Sequence, residues 1–222
     1  MNIGIIIQCA SDKAENAGKL IAPDGYKVDF VANPNLVKNK VEGIHNFHPD
    51  DNIPGKDNSW RDLLVEYNQQ KKNKLGLLKA GDLYKPRIYG DLTEYFGWEN
   101  VYILSAGWGL VRSDYLLPDY NITFSSTAGP GKKRKKNMLF KDFNHLENRV
   151  SNYDQIHFFG TPSYLPLFYE LTSMNSHKFV IHYADKYLEY KPGYKYEPYE
   201  RTFTNWHYSC AKEFLDKIQN QK

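Results

Sequence analysis

The stretch Val101–Phe124, VYILSAGWGLVRSDYLLPDYNITF, concentrates the residues best suited to chemistry. Asp114, Asp119, Tyr120 and Asn121 place carboxylates, a phenol and an amide just after a turn of small residues, Ser105-Ala106-Gly107-Trp108-Gly109. A carboxylate in a site can stabilise developing positive charge or orient a water. Asp119 is the first candidate for that work, with Asp12 and Asp114 behind it, and Asn121 suits the positioning of water or of a base edge. Tyr84, Trp108, Tyr120 and Tyr164 could line an aromatic pocket for a planar ligand. Each aspartate also has a plain use as a turn or cap residue.

Other residues invite weaker readings. Cys9 follows an isoleucine-rich run, and a thiol at the end of a buried strand is usually inert. His45 and His48, with Asp50 and Asp51, have a metal-like spacing, but they lie in a loop-like segment without a helix or hairpin to fix them, so no metal is expected. Residues 125–137 combine Ser-Ser-Thr-Ala-Gly-Pro-Gly with the basic run Lys132-Lys133-Arg134-Lys135-Lys136. That pattern predicts an exposed loop insertion, either merely solvated or holding a DNA backbone through its phosphates. The sequence lacks a Ser-His-Asp signature, a P-loop and GxGxxG, which disfavours esterase, ATPase and dinucleotide roles, and no cofactor is expected.

The elements that must position these residues can be read from hydrophobic patterning. Asn2–Gln8, Val101–Leu104, Gln155–Phe159 and Lys178–Tyr183 read as short buried strands, and Tyr26–Val31 as a further one. Ser59 is a fit N-cap for a helix from Trp60 to about Gln70, and a second helix spans Arg87–Phe96, ended by Gly97. Thr161 and Pro162 predict a helix start directly after the third strand, and Thr204 a cap for a last helix reaching Ile218. Strands alternating with helices predict an α/β fold: a three-layer, mostly parallel sheet with helices on both faces, in one domain over residues 1–222. Three turns, Cys9–Lys13, Ser105–Gly109 and Gly160–Tyr164, should then converge along one edge, where open α/β sheets bind ligands.

Composition bounds the rest. A chain of 222 residues, 41% apolar and 25% charged, is ordinary for a globular domain. A net charge of +3 carries no general argument for a polyanion partner, so the basic run alone carries that weight. Two cysteines are too few for a disulfide framework, and no apolar run spans a bilayer, so the expectation is a cytoplasmic protein without membrane contact, monomeric by default. Eighteen tyrosines and 15% aromatic residues are the one unusual feature.

Taken together, Cys9 with Lys13, Asp82-Leu83-Tyr84, ILSAGWGLV, PDYN, and Gly160 with Tyr164 resemble the bacterial domains related to the YaaA peroxide-stress protein and to the amidotransfer domain of archaeosine synthase. Those domains carry Cys-Ser-x-x-Lys, Leu-Tyr, Ile-Leu-Ser-Ala-x-x-Gly-Leu-Val and Pro-Tyr-Asp. Here Ala10 stands in place of the Ser, and Asn121 follows Tyr120 where Asp is usual, so Asp119 would take over the acidic role. The resemblance covers most of the chain outside residues 14–58 and the basic loop. It implies contact with nucleic acid or a modified base. The expected function is a DNA glycosylase that excises a modified base, such as a hypermodified cytosine of phage DNA, in anti-phage defence, with double-stranded DNA as partner. Its pocket would comprise Cys9, Tyr84, Ser105, Gly107, Trp108, Tyr120, Gly160 and Tyr164. The alternatives are a non-enzymatic DNA-binding protein and a transferase or hydrolase acting on a modified nucleoside.

Overall fold

The computed structural model describes residues 1–221 apart from 40, 71, 136, 185–189 and 201–204. The chain opens with β1 (Ile3–Gln8), followed by β2 (Lys27–Val31) and β3 (Ile44–Phe47). Helix α1 (Trp60–Gln69) starts at Ser59, whose hydroxyl accepts the Asp62 N–H while the Asp62 carboxylate accepts that of Ser59, a reciprocal cap. After β4 (Leu78–Lys79), α2 (Ile88–Phe96) ends at Gly97, where φ is 86°. Next come β5 (Val101–Ser105), β6 (Gly109–Arg112), β7 (Leu116–Leu117), β8 (Tyr120–Asn121) and β9 (Phe143–Asn144). The chain closes with β10 (Gln155–Phe159), α3 (Leu165–Thr172), β11 (Phe179–Tyr183), β12 (Lys195–Pro198) and α4 (Trp206–Gln219).

Seven strands form the main sheet in the order β12-β11-β10-β1-β5-β6-β9. Every pairing is parallel except β5 with β6. The central strands β1, β5 and β10 are covered on both faces, which is why they read as continuous apolar runs. Successive residues of a strand point to opposite faces. On one face Phe214 of α4 packs on His157, Phe159 and His182, with α2 beside α4. On the other, Phe168 of α3 stacks on Phe158 and meets Phe179 edge-on. The expected α/β architecture is therefore the observed one. Among the described residues no helix is long and apolar enough to cross a membrane.

Local departures have physical reasons. β3 and β12 lie in stretches whose composition reads as loop; both are short and neither is fully buried, so no apolar alternation marks them. Thr161 caps nothing: a 3-10 turn over Pro162–Tyr164 precedes α3, and the Thr161 hydroxyl bonds Gln8 and Ser163 instead. The expected cap Thr204 lies outside the described residues, and the last helix begins at Trp206.

The topology places the site. β1 lies between β10 and β5, so the chain leaves it in one direction first and returns on the other side later. Such a switch point opens a crevice beyond the carboxyl ends of the strands. A small sheet, β3-β2-β8, contributes Lys27 and Asn121 to its wall, and β4 pairs with β7 in another. The β2–β8 register, Phe30 opposite Tyr120 and Val31 opposite Asn121, brings Asp29 into bonding range of Asn121.

Candidate active-site cleft

The three predicted turns do converge, and a buried knot of polar side chains joins them. The Cys9 thiol lies 3.1 Å from the Tyr164 hydroxyl. Gln8 Oε1 accepts the Thr161 N–H at 2.6 Å and its hydroxyl at 2.9 Å. Ser105 Oγ donates to the Tyr120 hydroxyl at 2.9 Å, and that hydroxyl pairs with Tyr84 at 2.8 Å. Burial pushes the phenols of Tyr84, Tyr120 and Tyr164 well above their ordinary pKa, so all three keep their protons.

The aromatic rings expected to line a base pocket are packed against one another and their neighbours. Tyr84, Tyr120 and Tyr164 are buried. Trp108 is fully buried and packs against Phe30, Tyr120 and Phe143. The glycine turn is closed to ligands for a related reason. Ser105 Oγ accepts the N–H groups of Gly107 and Trp108 at 3.2 and 3.1 Å. Arg61 donates to the carbonyls of Gly107 and Trp108, and Arg134 donates to that of Ala106. Gly109 must be glycine: its φ is 86°, and a Cβ there would lie 2.5 Å from the Phe143 carbonyl.

The accessible space lies one layer out, in a cleft of about 710 Å³ lined by Asp12, Lys13, Lys19, Asp119 and Asn121. Lys27, Lys74 and Lys85 also line it. Lys19 Nζ bonds Asp119 at 2.8 Å and Asp29 at 3.2 Å. Burial opposes charge on Lys19, but its bond to Asp119 and the two carboxylate charges outweigh this and raise its pKa. Asn121 Nδ2 donates to the Asp29 carboxylate, 2.9 Å from each of its oxygens. Asp12 is exposed on the cleft wall. Asp114 is elsewhere, held by Arg112 at 2.6 and 2.8 Å.

Lys13 connects the cleft to the phenol knot. Its ammonium donates to the Tyr120 carbonyl at 2.7 Å and lies 4.3 Å from the centre of that ring. Burial lowers its pKa against the opposing pull of Cys9, Asp119 and Asp29.

The basic run divides. Arg134 is buried, in contrast to the expected exposure of the whole run: it forms an ion pair with Asp142 and lies against Phe140 and Phe124. Lys132 and Lys135 are exposed, Lys133 is half-buried, and Lys136 lies outside the described residues. Lys132 reaches Asn121 Oδ1 at 3.4 Å and lines a second cleft of about 760 Å³, whose wall also includes Lys19 and Asn121. Arg61 is the important residue that sequence reasoning passed over; its Nε donates to Asp50 Oδ1 at 2.5 Å and so braces the glycine turn. His45 pairs with Asp24, and His48 accepts the Asp50 N–H, so the two histidines do not converge on one point. No protein-family model matches the chain, and no curated protein or solved structure matches it either.

Proposed function

We propose that the chain hydrolyses the N-glycosidic bond of a modified base in DNA. The observation that carries this reading is the Asp119 carboxylate, held by Lys19 on the wall of a lysine-lined cleft at the carboxyl edge of the sheet. Five lysines line that cleft, which suits a phosphate-bearing substrate. The exposed lysines of the 125–137 loop border the adjoining cleft through Lys132 and extend the basic surface along a strand. The resemblance to domains that handle modified bases points the same way.

As the bond from C1′ to the base lengthens, positive charge grows on the sugar, and Asp119 stabilises it or orients the attacking water. Water adds its hydroxyl to C1′, and its proton balances the nitrogen of the departing base. Lys13, with its ammonium on the same cleft, is placed to donate a hydrogen bond to that base as negative charge develops. Asn121 positions the Asp29–Lys19–Asp119 array rather than the base, because its amide is already bonded.

The test is incubation with unmodified DNA and with phage DNA carrying hypermodified cytosines, reading released base by mass spectrometry and abasic sites by alkaline cleavage. Release from modified DNA, lost in Asp119→Asn while binding persists, is the expected result. Salt-sensitive binding without release from either DNA overturns the enzyme and leaves a binding module.

A further inference from the structure

We propose that His157, His182 and Glu197 form a binding site for one divalent transition-metal ion beneath α4. The three residues stand on adjacent strands, β10, β11 and β12, and one donor atom from each lies within 4.8 Å of the others. His182 and Glu197 are directly opposite in register, and Phe159, two residues beyond His157, is opposite His182. All three therefore share the sheet face covered by α4.

The arrangement has the properties of a ligand set. His157 Nδ1 and His182 Nε2 are 3.0 Å apart, and the Glu197 carboxylate lies 3.6 Å from the other nitrogen of that ring, His182 Nδ1, so an ion takes one His182 nitrogen and the remaining donor swings towards it. Both imidazoles are buried. Phe159 and Phe214 form an apolar collar around the two rings. Glu197 has a 57% exposed side chain, which supplies negative charge and an entry path from solvent. Metal–nitrogen and metal–oxygen bonds of about 2.0–2.2 Å place tetrahedral donors roughly 3.3–3.6 Å apart, so closure needs a movement of about 1–1.5 Å, within reach of the Glu197 side chain by rotation. Two imidazoles and one carboxylate select zinc, cobalt or nickel over calcium and magnesium.

An ion at this site would reinforce an edge element of the sheet. β12 is an exposed four-residue edge strand. An ion bridging Glu197 to both histidines ties that edge to β10 and β11, under the helix that closes this face. The inference is independent of the proposed glycosidic chemistry, since none of the three residues lines the lysine-rich cleft.

The experiment strips the full chain with a chelator, removes the chelator and titrates with zinc and, separately, cobalt. Calorimetry, metal analysis after gel filtration and the cobalt absorption spectrum give stoichiometry and geometry. One ion per chain is expected, with a raised melting temperature and a cobalt band of low-symmetry coordination. Glu197→Gln, a surface change, should weaken binding by at least about 10-fold without moving the metal-free melting temperature. His182→Ala should abolish stoichiometric binding. Failure of the wild type to retain an ion overturns the site, as does equal affinity in Glu197→Gln.

Discussion

The Cys9 thiol and the Tyr164 hydroxyl meet at 3.1 Å, although 155 positions separate them in the chain. This contact joins the carboxyl ends of β1 and β10, and the Tyr120 hydroxyl does the same for β5 through Ser105. The phenols work as structural locks beneath the cleft.

These locks should differ in strength. Tyr164→Phe removes one contact and should cost about 1 kcal/mol. Tyr120→Phe removes both the acceptor of the Ser105 hydroxyl and a partner of the Tyr84 hydroxyl from a buried cluster and should cost about 1–3 kcal/mol. The Lys13 bond goes to the Tyr120 backbone carbonyl and survives the substitution. Urea unfolding of both variants decides the matter; equal midpoints would mean that Tyr120 is not the hub.

Arginine and lysine within one basic run should behave oppositely. Arg134→Ala strands the buried Asp142 carboxylate and uncaps the Ala106 carbonyl, so a loss of about 3–5 kcal/mol is expected. The double variant Lys132→Ala/Lys135→Ala should melt with the wild type, since both side chains are exposed. It should bind DNA more weakly, with a shallower dependence on salt. Unchanged affinity and salt slope would remove the loop from the DNA-binding surface.

The difference between these two residue types also shows where sequence reasoning stops. The strand ends at Cys9, Ser105 and Gly160 are legible because parallel central strands must be apolar on both faces, and the breaks in that pattern mark the turns. Lys13 and Asp119 are legible as polar residues beside those turns. Nothing local distinguishes Arg134 from the lysines around it, because its burial depends on Asp142, Phe124 and Phe140 arriving from outside the run. Arg61 is hidden in the same way, a charged residue in an amphipathic helix whose partners are turn carbonyls 46 and 47 positions away. His157, His182 and Glu197 share no spacing motif at all; only strand register assembles them.

Two glycines offer a paired test of packing. A Cβ on Gly160 would lie 2.3 Å from the ring of Phe158, which is itself buried and stacked on Phe168. Gly160→Ala should therefore cost about 1–3 kcal/mol by forcing that ring off its rotamer. Gly90 lies in α2 with nothing within 4 Å of an added Cβ. Gly90→Ala should stabilise by about 0.5–1 kcal/mol through the lower entropy of its unfolded chain. Thermal melts that shift both proteins in the same direction would contradict this account of the β10 turn.

Acid should destabilise the fold well above the range where carboxylates titrate. Burial depresses His157 and His207 to about 4, and burial together with Arg112 does the same for His145. His182 falls to about 3 through burial and the neighbouring His157. In the unfolded chain each takes up a proton near pH 6.5. Folded values below unfolded ones mean that the contribution is complete above pH 6.5 and is lost progressively as pH falls toward 4 and then 3. Within that window each histidine adds a slope of up to about 1.4 kcal/mol per pH unit, so four together make the decline steep. Urea midpoints measured between pH 7.5 and 4.5, with chelator present so that no metal biases His157 and His182, should fall continuously below pH 6.5. A flat profile down to pH 5 would show that these imidazoles are solvated in the folded protein.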